Sequence, residues 1–339
     1  MSKQVSLPKE ICIILTYRCN AKCNMCNVWL NPTRTGEEIT AEDIEKLPGG
    51  LRFVNITGGE PFIRQDIAEI IEVLRHKTKR IVISTNGFFT DRIVELCEKY
   101  PDIGIRLSIE GLQKTNDAVR GIPDGFDRGF RTLLTLRRIG IKDIGFAMTV
   151  QDMNCKDLIP LYELSNALNY EFATATLHNS HYFHKLDNRI EDKDMVCNEF
   201  SKLVKELLKS KSMKQWFRAY FNYGLMNYIY GRKRFLKCEM GTESCFLDPS
   251  GDILACNGME VKISMGNIKE KTFDDIWNSE KADKVRKAVE TCNKQCWMVG
   301  SAAPAMKKYI HIPAVWILKN KLRVMLNKEP VLYFTDKKC

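Results

Sequence analysis

Cysteines 19, 23 and 26, in TYRCNAKCNMCNVW, lie close enough in sequence for one loop to bring three thiolates together. Soft sulfur ligands suit either zinc or an iron–sulfur cluster. Three thiolates on a four-iron cluster leave one iron with an open position, able to bind and reduce a cofactor or substrate directly. A zinc knuckle, the competing reading, asks for a fourth ligand nearby. A second group, Cys238, Cys245, Cys256, Cys292 and Cys296, surrounds a Gly-centred hairpin, DPSGDI, and a helix-compatible stretch. Its spacing permits four of the five to converge on one cluster, and a structural zinc site is the alternative there too.

Other chemistry-bearing residues follow short apolar runs. ITGGEPFIR carries Gly58 and Gly59, which let backbone approach a ligand closely, and Glu60, an acceptor for an ammonium group. STNGF supplies Ser84, Thr85 and Asn86 as short hydrogen-bonding groups for a ribose or carboxylate. RLSIEGLQKTNDAVRG adds Ser108, Glu110 and Arg120. MTVQDMNCKD places Cys155 after another run, either as a space-filling residue or as a hydrogen-atom donor to substrate. TLHNSHYFHK offers His178, His181 and His184, as substrate contacts or as polar loop residues.

The elements that must position these groups are legible. Runs at 11–16, 53–57, 80–84, 105–109, 145–150 and 172–176 are β-branched and nearly continuously apolar, as in a parallel sheet covered on its faces. Helix-compatible stretches at 41–47, 66–75, 91–99, 127–139 and 156–167 alternate with them, several opened by capping residues such as Thr40, Asp91 and Asp127. The predicted class is α/β, either an open doubly wound sheet or a barrel with fewer than eight units. Both architectures put chemistry beyond the strands' carboxyl ends. Residues 187–235 read as a helical connection, 236–303 as a small hairpin-plus-helix module and 304–339 as a basic, amphipathic tail.

Taken together, CNAKCNMC, the GGE loop, STNG and the SIEGLQKTNDAVRG stretch resemble the radical S-adenosylmethionine (SAM) superfamily. That resemblance implies a partial (β/α)6 TIM-like barrel over residues 1–186, with a [4Fe-4S] cluster on Cys19, Cys23 and Cys26 whose fourth iron is chelated by SAM. It also implies SAM contacts from Tyr17, Gly58, Gly59, Glu60, Ser84, Asn86, Ser108, Glu110 and Arg120. Glu110 and Asn116 stand where that family more usually has Asp and His. Cys238-x12-Gly251-x4-Cys256 and FDDIWNSE are similar to the opening of its SPASM or twitch extension, but the middle C-x2-C-x5 portion is missing. One auxiliary [4Fe-4S] cluster on Cys238, Cys256, Cys292 and Cys296 is the implied set. Cys245 is the alternate for Cys238, or stays unligated near substrate as a catalytic candidate beside Cys155. The implied reaction is reductive cleavage of SAM to a 5′-deoxyadenosyl radical and hydrogen abstraction from a peptide, sugar or other small-molecule substrate. An electron donor such as flavodoxin or ferredoxin is the expected partner. The rival is a non-catalytic iron–sulfur or zinc-binding protein.

Composition bounds the rest. The 339 residues and 44 % apolar content are enough for a full core. The amino terminus has neither the apolar run nor the cleavage site of a signal peptide, and thirteen cysteines without one indicate metal or redox chemistry in a reducing, cytoplasmic setting. The net charge of +10 is spread along the chain except for the last thirty or so residues. Its cations do not interleave with aromatics as a nucleic-acid stacking surface would, so no nucleic-acid partner is expected. YIHIPAVWILKNKLRVML reads either as a helix packed on the barrel or as a weak contact with a membrane surface.

Overall fold

A computed structural model describes residues 5–332. The six expected strands form as β1 (Glu10–Ile14), β2 (Phe53–Thr57), β3 (Ile81–Thr85), β4 (Gly104–Ser108), β5 (Ile144–Val150) and β6 (Glu171–Thr176), all paired in parallel in chain order. Three more follow, β7 (Ser244–Leu247), β8 (Asp252–Leu254) and β9 (Ser264–Asn267). The single nine-stranded sheet runs β6-β5-β4-β3-β2-β1-β7-β8-β9 and has two free edges, so the barrel is partial.

The helices are α1 (Ala41–Glu45), α2 (Ile67–Arg75), α3 (Thr90–Lys99), α4 (Gln113–Arg120), α5 (Gly125–Arg138), α6 (Leu158–Ala167), α7 (Lys193–Lys209), α8 (Met213–Ile229), α9 (Phe273–Trp277), α10 (Glu280–Glu290), α11 (Val299–Lys308) and α12 (His311–Met325). Thr40 caps α1 through a reciprocal pair with Asp43. Asp91 and Asp127 are not caps: both lie inside the first turn of their helices, where a carboxylate still complements the helix dipole. α4 was not expected from periodicity.

Strand alternation divides the sheet into two chemistries. Ile11, Ile13, Val54, Ile56, Ile83, Leu107, Phe146 and Met148 are buried on the helix-covered face, each worth about 1.5–3 kcal/mol of burial. The register puts Cys12, Asn55, Ser84, Ser108, Ala147 and Ala173 on the other, inner face, where they remain partly exposed. Small and polar residues there leave room for a ligand. At the strands' amino ends this face is occupied by an ionic network: Asp143 accepts from Arg80 at 2.7 Å and Arg106 at 2.5 Å, while Glu171 pairs with Lys214 and Arg218 of α8.

The cysteine-bearing hairpin is continuous with this sheet. β7 lies parallel to β1, with Cys245 opposite Ile11, and the DPSGDI turn then leads into antiparallel β8. The boundary read at 236 therefore separates chain segments that share one sheet, and the boundary read at 303 falls inside α11. α11 and α12 form the described part of the tail; residues 333–339, including Cys339, lie outside the described residues.

Candidate active site and cluster sites

The Cys19–Cys26 loop leaves the carboxyl end of β1 and is held from three sides. The Lys22 and Asn24 amides donate to the Arg120 and Val119 carbonyls at 3.0 and 2.9 Å, tying the loop to the last turn of α4. Gly121 ends that helix at φ 58°, and an added Cβ would lie 2.5 Å from the Lys22 carbonyl oxygen, so only glycine allows this approach. The Gly59 and Glu60 amides donate to the Thr16 and Arg18 carbonyls. A Cβ on Gly59 would come within 2.1 Å of the Arg18 oxygen. The two glycines of GGE thus serve first to dock the β2 loop against the cysteine loop.

Burial pushes the thiols of all three cysteines up, Cys19 to about 11 and Cys26 to about 12. Thiols ligate a metal centre as thiolates, so cluster binding here would release their protons. Arg120 is the adjacent cation. Burial works against its charge, but Cys23, Glu110, Cys19 and Glu60 around it keep it protonated. Its Nη1 bonds Glu110 at 3.1 Å, while its buried Nε has no partner. A buried, partly unsatisfied guanidinium beside three thiols fits an anionic cluster and the carboxylate of SAM.

Glu60 and Glu110 differ from the expected picture. Glu60 is fully buried and accepts from the Phe62 amide, the Thr85 hydroxyl and the Asn86 amide at 3.1, 2.7 and 2.7 Å. It clamps the β2 and β3 loops together, and its carboxylate is committed to that task. Glu110 accepts from Arg120 and from the Thr149 amide at 2.6 Å, and Asn116 fixes its backbone. Glu110 and Asn116 therefore build the support of Arg120. Ser84 donates to Asn55 on the inner face, Asn86 reaches Asn20 of the cysteine loop at 2.7 Å, and Ser108 is partly exposed on the same face. Tyr17 lies under the β6 loop, its ring 5.1 Å from that of His184.

Cys296, Cys238 and Cys292 are the electrostatic neighbours of Cys256, and burial pushes Cys256 to about 12 and Cys296 to about 11. The Gly258 amide donates to the Cys256 sulfur at 3.2 Å, and the Ala21 amide to Cys19 at 3.4 Å, the kind of contact that tunes cluster thiolates. Cys245 is not part of this set. It is 1 % exposed on β7, burial pushes its thiol up, and it fills core space. Cys155 is likewise fully buried, its thiol beside the Asp152 carbonyl and Glu199 of α7. It lies in the turn that packs against α6 and α7, and neither Cys155 nor Cys245 is exposed. Among the described residues, no three His, Cys, Asp or Glu stand close enough to enclose a single metal ion. Thiolates bound to different irons of a cluster do not have to converge so tightly.

The histidine-bearing loop after β6 does something its sequence did not announce. It spans the two cysteine groups as a strap. On one side the Asn27 amide and side chain donate to the Phe183 and His184 carbonyls, and Asn188 donates to Met25. On the other, Ser180 donates to Asn257 and the His181 amide to Met259. Between them the Tyr182 hydroxyl donates to the Gly58 carbonyl. His178 bonds the Thr176 carbonyl and burial holds its imidazole below the usual range. The ordered polar residues between 178 and 188 were the available signal, but nothing in their spacing named their partners.

The fold is an α/β partial barrel with a three-thiol loop after its first strand and a four-thiol set beside its sheet. Residues 13–164 match the Radical SAM superfamily, and residues 238–297 match the SPASM iron–sulfur cluster-binding domain. The chain carries a radical SAM domain followed by a SPASM domain, and these domains imply SAM, a [4Fe-4S] cluster and an auxiliary cluster as cofactors. It is 33 % identical over 158 residues to Fe-coproporphyrin III synthase of Methanosarcina barkeri, covering 44 % of this chain and 39 % of that protein. It is 25 % identical over 295 residues to the subtilosin biosynthesis protein AlbA of Bacillus subtilis, covering 85 % and 63 %. The chain thus spans less than two thirds of either relative. SuiB of Streptococcus suis bound to SAM shares its fold, with a TM-score of 0.63 at 20 % identity over 89 % of this chain and 75 % of SuiB.

Proposed function

We propose that this protein reductively cleaves SAM and uses the resulting radical to abstract hydrogen from a peptide substrate, with a second cluster serving the product side of the reaction. The observation that carries this reading is the asymmetry of the two thiol sets: three beside a buried, partly unsatisfied Arg120, and four around the hairpin. Cys19, Cys23 and Cys26 hold the first cluster and leave one iron for SAM; Cys238, Cys256, Cys292 and Cys296 ligate the second completely. When bound, the first cluster and SAM supply a 5′-deoxyadenosyl radical. The chain's own residues bind and orient. Arg120 neutralises the carboxylate end, Asn86 and Ser84 border the nucleoside, and the small inner-face residues Ser108, Ala147 and Ala173 leave substrate a path to it.

A peptide substrate is supported by relatives. AlbA acts in the biosynthesis of the bacteriocin subtilosin, and SuiB has been solved with its precursor peptide SuiA. Anaerobic reconstitution, iron and sulfide analysis and a 5′-deoxyadenosine assay after dithionite reduction test the chemistry. Cys23→Ala is expected to abolish cleavage. Cys292→Ala is expected to lose auxiliary iron while retaining uncoupled cleavage. No deoxyadenosine from fully loaded wild-type protein would overturn the proposal.

A further inference from the structure

α12 has two apolar faces and only one is covered. Trp316 stacks on Tyr223 of α8 with ring planes 12° apart, and Ile317, Asn320 and Val324 are buried beside it. One-helix-turn spacing on the opposite side brings Val315, Leu318, Leu322, Met325 and Leu326 into a stripe, each 59–67 % exposed. Isolated exposed apolar residues need no explanation, but a continuous stripe along one helix marks an interaction surface.

The charge around this stripe selects its partner. From Thr291 to Lys328 the sequence contains seven Lys or Arg and no Asp or Glu. Lys307 and Lys308 are neutralised by Glu10 and Glu239, Lys321 caps the Leu208 and Ser210 carbonyls at the end of α7, and Arg323 bonds the Glu329 carbonyl. Lys319 projects from the same side of α12 as the apolar stripe. A second copy docking through this face by two-fold symmetry would bring like charges together. An anionic lipid surface satisfies both components, taking the apolar side chains into the acyl boundary and pairing the cations with headgroups. No helix among the described residues is long and apolar enough to cross a membrane. We propose that α12 docks the enzyme peripherally on an anionic membrane.

Flotation of the cluster-loaded, full-length protein with phosphatidylcholine vesicles, and with vesicles containing phosphatidylglycerol as well, tests this without reference to catalysis. Wild type is expected to float with the anionic vesicles only, and less so as salt rises. Leu318→Glu with Leu322→Glu, both on the exposed face, should reduce bound protein at least tenfold. Lys319→Glu changes the charge by two and should weaken binding about thirtyfold, given roughly 1 kcal/mol for each unit of charge at the surface. Deoxyadenosine formation in detergent-free buffer should be unchanged in both variants, which also reports that they fold. Three results would each overturn the proposal: no flotation of wild type, equal flotation of the variants, or a concentration-dependent dimer that the leucine variant dissolves while vesicles remain unbound.

Discussion

The Ser180 hydroxyl donates to the Asn257 carbonyl at 2.7 Å, and through this contact the loop after the sixth barrel strand grips the chain next to Cys256. Ser180 is fully buried, so the hydroxyl has no water to replace its partner. Ser180→Ala should cost about 1 kcal/mol of local stability. Hydrogen exchange resolved by residue should show the amides of 256–260 opening about fivefold faster, with the Cys19–Cys26 loop unaffected.

Cys245 and Cys238 make opposite predictions. Cys245→Ala should leave iron content at the wild-type level and lower stability by about 1 kcal/mol through a small core cavity. Cys238→Ala should lose the auxiliary iron. Iron per chain and thermal midpoint, measured side by side, separate the two roles.

Arg120 and Glu110 should behave as a unit. Removing one partner of a buried pair strands the other, so Arg120→Gln is expected to destabilise the fold by about 3–5 kcal/mol. Adding Glu110→Gln should restore much of that loss without restoring SAM affinity. The affinity should fall about ten- to hundredfold, the range for a lost charge-assisted hydrogen bond of about 1.5–3 kcal/mol. Denaturant titration and equilibrium SAM binding to iron-loaded protein test the two halves separately.

At the strands' amino ends, burial disfavours the Asp143 charge, but Arg106 and Arg80 outweigh it and hold the carboxyl below its usual range. A carboxylate with a depressed folded value contributes stability above its unfolded value of about 3.9 and loses it as the pH falls through the folded one. Asp143→Asn should therefore destabilise the protein by about 1–3 kcal/mol at neutral pH and flatten the acid side of its stability profile. Urea midpoints measured from pH 7 down to 3 test this.

Much of the barrel was legible because parallel strands buried under helices must be apolar nearly throughout, as IVIST and IGFAMTV are. α4 was missed because QKTNDAVR has only two apolar residues, Ala118 and Val119; Asn116 under Glu110 and the cysteine loop along its end hold it in place. The cysteine spacing outlined two cysteine groups, but Cys238 and Cys245 could be told apart only by strand direction, which sends Cys245 into the core. Glu60 and Glu110 were expected to face ligand. Glu60 takes two backbone amides and the Thr85 hydroxyl, and Glu110 takes one amide and Arg120, partners that no spacing rule encodes. The strap from 178 to 188 was hidden for the same reason, since its partners lie more than seventy residues away on one side and over a hundred and fifty on the other.

The parallel pairing of β7 with β1 has a consequence for how the chain is made. Glu10 finds its partner Ser244 only after the chain has been synthesised through that residue. Until then β1, which leads into the Cys19–Cys26 loop, offers an unsatisfied hydrogen-bonding edge, the kind of surface that recruits other chains. Contacts this distant in sequence also form slowly. The nascent chain therefore passes through a stage with its first cysteines translated and that edge bare.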